Sequence, residues 1–272
     1  MRLYAQAAAT GLLPRNDSLP DSVYELSEQS IDTRRLVAYQ RVCGFRVTDE
    51  LPPTYLHALA FPLSVALMVE RAFPLPLVGL VHVANSITVA RPVRADEVVS
   101  FTVWAENLRP HPAGRQLDLV AQARVADELV WSGRSTYLRR DATPEPREDK
   151  PQLAEPAGAV SYVRVLENIG RKYGAVSGDR NPIHLHALSA RAFGFPRAIA
   201  HGMWLKARTL AALEGRLPDS YTVDVGFKTP VLLPSAVSIG TARAPAGWVL
   251  DVRSARSGKP HLAGTVLGGT SA

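Results

Sequence analysis

Asp179 and His184 stand five positions apart in the segment YGAVSGDRNPIHLHALSARAFGFPRAIAHGM, residues 173–203, which closes on His201-Gly202 just before an apolar helical pattern. An acid, a base and a helix start within one short stretch are the parts needed to move water on or off a carbonyl-conjugated double bond. Hydration of an α,β-unsaturated thioester needs a base that takes a proton from water and an acid that protonates the α-carbon. It also needs a group to hold the charge that grows on the thioester oxygen. Histidine titrates near neutral pH and suits the proton transfer. An aspartate beside it can accept a hydrogen bond from the water and fix its position. Backbone N–H groups at a helix N-terminus can hold the oxyanion, and Gly202, with no side chain, lets the oxygen come close.

The pair must be brought together by a folded turn. Five steps along a helix leave two side chains on different faces, and Pro182 disfavours a helical Asn181. Gly178 supplies backbone freedom, and Asn181 tolerates unusual dihedrals and bonds locally. Taken alone, an Asp and a His at this spacing are more often a turn cap and a surface residue. A metal cluster of His184, His186 and His201 can also be drawn, but His-x-His on a loop with no cysteine to complete the set is weak evidence for zinc, and no metal is expected. His201 reads better as an anchor for the helix start.

At 272 residues and 46% apolar content the chain can fill one large domain or two small ones. No apolar run is long enough to span a bilayer, and the N-terminal MRLYAQAAATGLLPRND lacks the features of a good signal peptide. The expectation is a soluble cytoplasmic protein without membrane insertion. The single cysteine, Cys43, excludes an internal disulfide and reads as a small buried residue. The net charge of +6 is spread along the chain with no dense basic block among aromatics, which argues against nucleic acid. It suits an anionic ligand, and equally an ordinary basic surface.

The segment 141–158, DATPEPREDKPQLAEPAG, holds four prolines and many charges and reads as a linker between residues 1–140 and 159–272. The two sides repeat one order. In the second, Met203, Ala207, Leu210 and Leu213 form a helical pattern ended by Gly215 and Pro218. The strand-like runs YTVDVGFK, SAVSIGTAR, GWVLDVRS and HLAGTVL follow. In the first, FPLSVALMVER reads as a short helix with Ser64 as cap, followed by LVHVANSITVA, EVVSFTVWAEN, RQLDLVAQARV and ELVWSGRSTYLR. Leu117, Leu119 and Ala121 would share a strand face. Arg91-Pro92-Val93 and Lys228-Thr229-Pro230-Val231 occupy matching places. The expected fold is α+β, with two antiparallel sheets each wrapped on a central helix. The alternative is an α+β chain whose halves only look alike.

Ser-Gly-Asp, Asn-Pro-Ile-His and Ile-Ala-His-Gly-Met, in order, resemble the signature of the MaoC-like, (R)-specific enoyl-thioester hydratases and 3-hydroxyacyl-thioester dehydratases (hydratase 2). The resemblance extends through Phe227-Lys228-x-Pro230-Val231 and covers most of residues 160–272. It implies a hot-dog fold and reversible hydration of trans-2-enoyl thioesters to (R)-3-hydroxyacyl thioesters. It makes Asp179 and His184 the catalytic pair and Gly202 the oxyanion donor, with Ser177, Asn181 and His201 ordering the site. No cofactor is implied. Arg197, Lys206 and Lys228 are candidates for contact with a coenzyme A or acyl carrier protein thioester.

LPPTYLHALAFPLSVALM and GLVHVANSITVARP are similar to the N-terminal, degenerate hot dog of two-domain actinobacterial members. This half has no Asp-x-Asn-Pro-x-His, so one active site per chain is expected. Reduced helix bulk near residues 63–71 would leave room for a long acyl tail. A double hot dog completes its own pseudo-dimer and can pair again as a homodimer. Three positions depart from the family pattern. His186 stands where an acidic residue is common, Pro234 where many have glycine, and Leu210, next to Thr209, where some carry a hydroxyl. A hot-dog thioesterase and a non-catalytic acyl-binding subunit of a heterodimer are the competing readings.

Overall fold

In a computed structural model of the chain, residues 17–77, 79–140 and 158–269 are described. The expected linker, apart from Gly158, and the N-terminal apolar patch, apart from Asp17, lie outside the described residues. The first half runs β1 (Tyr24–Gln29), α1 (Thr33–Cys43), α2 (Pro53–Met68), β2 (Leu80–Val89), β3 (Val99–His111), β4 (Gly114–Val125) and β5 (Glu128–Arg140). The second runs β6 (Ala159–Val165), α3 (Ile169–Ser177), α4 (Pro182–Leu185), α5 (Ala187–Ala192), α6 (Gly202–Ala211), β7 (Tyr221–Phe227), β8 (Ser235–Ala244), β9 (Gly247–Ser254) and β10 (Pro260–Gly268).

The class is α+β, but the strands form one sheet rather than two. The order is β1-β3-β4-β5-β2-β7-β10-β9-β8-β6, antiparallel throughout. Within it β1-β3-β4-β5-β2 and β6-β8-β9-β10-β7 are the same arrangement used twice. The halves join where β2 lies against β7, Ala84 opposite Gly226 through Val89 opposite Tyr221. Both β2 and β7 end a five-strand set with an unpaired edge, and pairing them satisfies the backbone groups of both.

The matching Pro-Val positions are equivalent in space. The Leu51 N–H donates to the Val93 carbonyl at 2.8 Å, two residues before α2, and the Ala200 N–H donates to the Val231 carbonyl at 2.9 Å, two residues before α6. Each half therefore ties its helix entry to the segment just after the first strand that follows the helix.

The short helix capped by Ser64 is not present. Residues 53–68 form one 16-residue helix, apolar around most of its circumference, with Ser64 buried in its interior. Pro62 lies inside it. Proline removes the N–H that would bond the carbonyl four residues back, here that of Ala58. The Arg35 guanidinium on α1 donates to that carbonyl at 3.5 Å, so the helix continues past a residue that reads as its start. Tyr55, Leu56, Leu59, Val65 and Met68 are all buried, and α2 fills the half in which reduced bulk was expected. Among the described residues no helix is long and apolar enough to cross a membrane.

Helices α1 and α3 pack beside one another under the site. Asp32 caps α1 by accepting from the Arg34 and Arg35 N–H groups. Arg35 also donates to the Val176 carbonyl at 2.9 Å, and the Tyr39 and Tyr173 rings lie 5.9 Å apart. Trp204 of α6 donates to the Val42 carbonyl at 3.0 Å.

Candidate active site

The turn that carries the site is built from short-range polar bonds. Gly178 ends α3 in the left-handed region at φ 85°, which a side chain would oppose. Asp179 then donates its N–H to Ser177 Oγ at 3.2 Å, and Asn181 donates its N–H to Asp179 Oδ1 at 3.1 Å. The Ile183 N–H donates to Asn181 Oδ1 at 3.3 Å, which makes Asn181 the cap of α4, with Pro182 in its first turn. The turn sits directly on α3. A Cβ on Gly170 would lie 1.9 Å from the His184 carbonyl oxygen, and one on Gly174 would lie 2.7 Å from that of Asp179. Two glycines four apart on one helix face let the Asp and His backbones approach, a signal in the sequence that went unread.

The structure brings Asp179, His184 and His201 together: one ligand-type atom from each lies within 4.8 Å of the others. His184 Nδ1 faces the Ile199 carbonyl at 2.8 Å. A carbonyl oxygen only accepts, so Nδ1 carries the proton and the neutral ring keeps its lone pair on Nε2. His201 Nε2 donates to the Asp179 backbone carbonyl at 3.0 Å and lies 3.8 Å from Asp179 Oδ2. The two imidazoles stack with centroids 3.7 Å apart and an interplanar angle of 28°. Lone pairs lie in the ring planes, so two stacked rings do not converge on one ion at bonding distance. The arrangement suits proton transfer better than metal ligation. His186 is exposed and starts α5, away from this cluster.

Burial pushes the His184 pKa below 6.5, partly opposed by the Asp179 carboxyl and the Ile199 carbonyl. Burial and the neighbouring His184 push His201 down to about 3. Burial and the Lys206 charge push His57, on α2, down to about 4. All three are therefore neutral at pH 7. In the unfolded chain each titrates near 6.5. As pH falls below about 6.5 the unfolded state takes up protons that the native state refuses, so stability declines with acid. The loss is about 2 kcal/mol each for His57 and His201 at pH 5, and levels off only below the folded values. Stability from these groups should be flat from pH 7 to 9. Urea midpoints equal at pH 7.5 and pH 5 would refute this.

Gly202 opens α6, whose N-cap His201 makes no side-chain cap bond. A Cβ there would meet the Phe227 ring at 2.9 Å. The space beside Asp179 is walled by His57 and Phe61 of α2, His82 of β2, Tyr137 of β5, Tyr173 of α3 and Met203 of α6. Four of these come from the first half, which carries none of the motif. His57 and His82 are a lone histidine in an apolar helix and one in an apolar strand, and that was their only mark in the sequence.

The three basic candidates separate. Arg197 is exposed, with its guanidinium 3.5 Å from the Pro234 carbonyl. Lys228 is exposed, and its ammonium lies back over Gly226. Lys206 is a correction: it is fully buried, its Nζ donating to Asn85 O at 3.1 Å, Asn85 Oδ1 at 2.6 Å and Val223 O at 3.1 Å. Spacing on α6 put it near the site, but its face of the helix points into the join of the sheet, where no carrier can reach. Leu210 is buried, and the adjacent Thr209 hydroxyl donates back to the Leu205 carbonyl at 2.8 Å. No hydroxyl of this helix segment is offered to His184.

Comparison with known proteins is consistent with this geometry. Residues 147–258 match the MaoC like domain. The chain is 38% identical over 272 residues to 3-hydroxyacyl-thioester dehydratase X of Mycobacterium tuberculosis, covering 98% of this chain and 96% of that protein. The crystal structure of HtdX from the same organism superposes with a TM-score of 0.81 at 36% identity, over 91% of this chain and 100% of that one. A MaoC-like dehydratase from Phytophthora capsici gives 0.75 at 15% identity, over 93% and 96%. An acyl-ACP thioesterase from Bacteroides thetaiotaomicron gives 0.58 at 9% identity, over 90% and 96%, a likeness of fold alone.

Proposed function

Because the chain belongs to the MaoC-like dehydratase family, we propose that it interconverts trans-2-enoyl and (R)-3-hydroxyacyl thioesters, with Asp179 and His184 handling the water. The observation that carries this reading is the commitment of His184 Nδ1 to the Ile199 carbonyl. It leaves Nε2 to act as a base, on a ring grouped with the Asp179 carboxyl.

In hydration, water donates one hydrogen bond to Asp179 and loses its other proton to His184 Nε2 as its oxygen bonds to C3. The C2–C3 π pair shifts to C1–C2 while the carbonyl π pair moves onto the thioester oxygen, which is held by the Gly202 N–H. The imidazolium then returns its proton to C2, so that H and OH have added across the bond and the base is restored. Dehydration is the same path reversed. A neutral His184 at pH 7 is the form this needs, and its lowered pKa supplies it.

The same reading takes residues 1–140 and 159–272 as two hot-dog domains with a linker at 141–158, the second catalytic and the first lining the acyl pocket. It takes coenzyme A or acyl carrier protein as the carrier, with Arg197 and Lys228 at the mouth, in the cytoplasm.

The test is turnover of crotonyl-CoA with stereochemical analysis of the product. The expected result is loss of enoyl absorbance and formation of (R)-3-hydroxybutyryl-CoA. Release of free thiol, trapped by a dye, would make the protein a thioesterase instead. Tight binding of the thioester without conversion would make it an acyl-binding subunit.

A further inference from the structure

The space beside Asp179 ends in a stack of rings centred on His82. A register shift in the β2–β5 ladder between His82 and Ala84 marks a bulge at the point where β2 begins to pair with β7. Bulges re-aim side chains, and here His82 is turned inward. Its ring stacks on Tyr137 at 4.7 Å between centroids and 14° between planes, lies 6.3 Å from His57 at 17°, and meets the edge of Phe227 at 5.0 Å. Phe61 backs His57 at 6.1 Å. The room left beside Asp179 is about 20 Å³ for the centre of a water molecule, enough for about one water. Behind the rings stands α2, with 12 of its 16 residues buried.

His82 is packed among rings on several sides. Its Nε2 is buried with no hydrogen-bond partner among the described residues. That nitrogen is already out of water in the free protein, so resistance to a longer tail comes from moving the packed rings rather than from covering it. A tail long enough to reach the rings must therefore displace them.

Resting on the hydratase reading above, we propose that His82 is the specificity-determining residue for tail length and that the substrate class is short-chain enoyl thioesters. The ring stack is the end wall of the acyl pocket. Extra carbons overpack it, an effect that costs tightly packed sites a factor of roughly ten or more.

The test uses the full chain and two readouts. Calorimetry measures binding of saturated butyryl-, octanoyl- and dodecanoyl-CoA, which cannot react. Steady-state kinetics give kcat/KM for the matching 2-enoyl-CoAs. The expected result is about tenfold or greater loss in both from the four-carbon to the twelve-carbon member. His82→Ala, and independently Phe61→Ala should the first fail to fold, should raise the long-to-short ratio by about tenfold. Equal affinity and equal kcat/KM across the wild-type series would overturn the proposal, as would an unchanged ratio in both variants. Length-graded binding with no turnover of any enoyl thioester would leave the wall in place and overturn the hydratase reading instead.

Discussion

Asp179→Asn and His184→Ala should each lower the kcat/KM of crotonyl-thioester hydration by about 10²–10⁴-fold, the range expected for loss of a positioned proton-transfer group. Asp179→Asn is the cleaner of the two. The amide oxygen can still accept the Asn181 N–H that now bonds Asp179 Oδ1 at 3.1 Å, and the Asp179 backbone carbonyl still receives His201. The turn survives while the negative acceptor for water is gone. His184→Ala removes the base together with its bond to the Ile199 carbonyl, so its circular dichroism and melting curve should be recorded beside its rate.

The double variant should be no slower than the worse single one, because residues that act on one water fail as a unit. Turnover equal to wild type in either single variant refutes the roles. Additive losses in the double variant would mean that the two groups act on separate steps.

The residues that carry this prediction were legible because their chemistry is local. Asp179, Asn181 and His184 sit within a turn whose hydrogen bonds span two or three residues, so residue types and spacing nearly determine the geometry. The strands named from their apolar runs were legible for the same reason: burial on a pleated surface writes its period into the chain. β1 and β6 went unread. They pair on one side only, with β3 and β8 respectively, and their outward residues need not be apolar, so the periodic signal is weak. The length of α2 was hidden behind Pro62, because the donor that rescues the freed carbonyl, Arg35, comes from another helix. Tertiary rescue of this kind leaves no trace in the local pattern. The same holds for His57 and His82, brought to Asp179 by the joining of two half-sheets. Lys206 was misread in the opposite sense. Position along α6 was taken as nearness to the site, whereas the helix turns it toward β2 and β7.

That burial makes Lys206→Met the second change with a large expected effect, and its target is the fold. The ammonium's three protons meet three acceptors: both oxygens of Asn85 on β2 and the Val223 carbonyl on β7. One side chain from α6 thereby bonds both strands of the join. Burial disfavours the charge and pulls the lysine pKa well down, with Asp224 opposing. An ammonium is nevertheless the form whose donors match the acceptors one for one. Methionine keeps much of the volume and removes every donor, leaving three oxygens buried without that partner. Leaving buried acceptors without their donor costs about 1–3 kcal/mol, which urea unfolding should show as a lowered midpoint with an unchanged slope. Asn85→Ala also releases the bonds of its amide to Ser135 and Arg134, so it is destabilising alone. Combined with Lys206→Met it should cost less than the sum by about 1–3 kcal/mol, because the orphaned Oδ1 is removed with it. A single-variant loss under about 1 kcal/mol, or strict additivity in the pair, would show that packing holds the two half-sheets together without this tie.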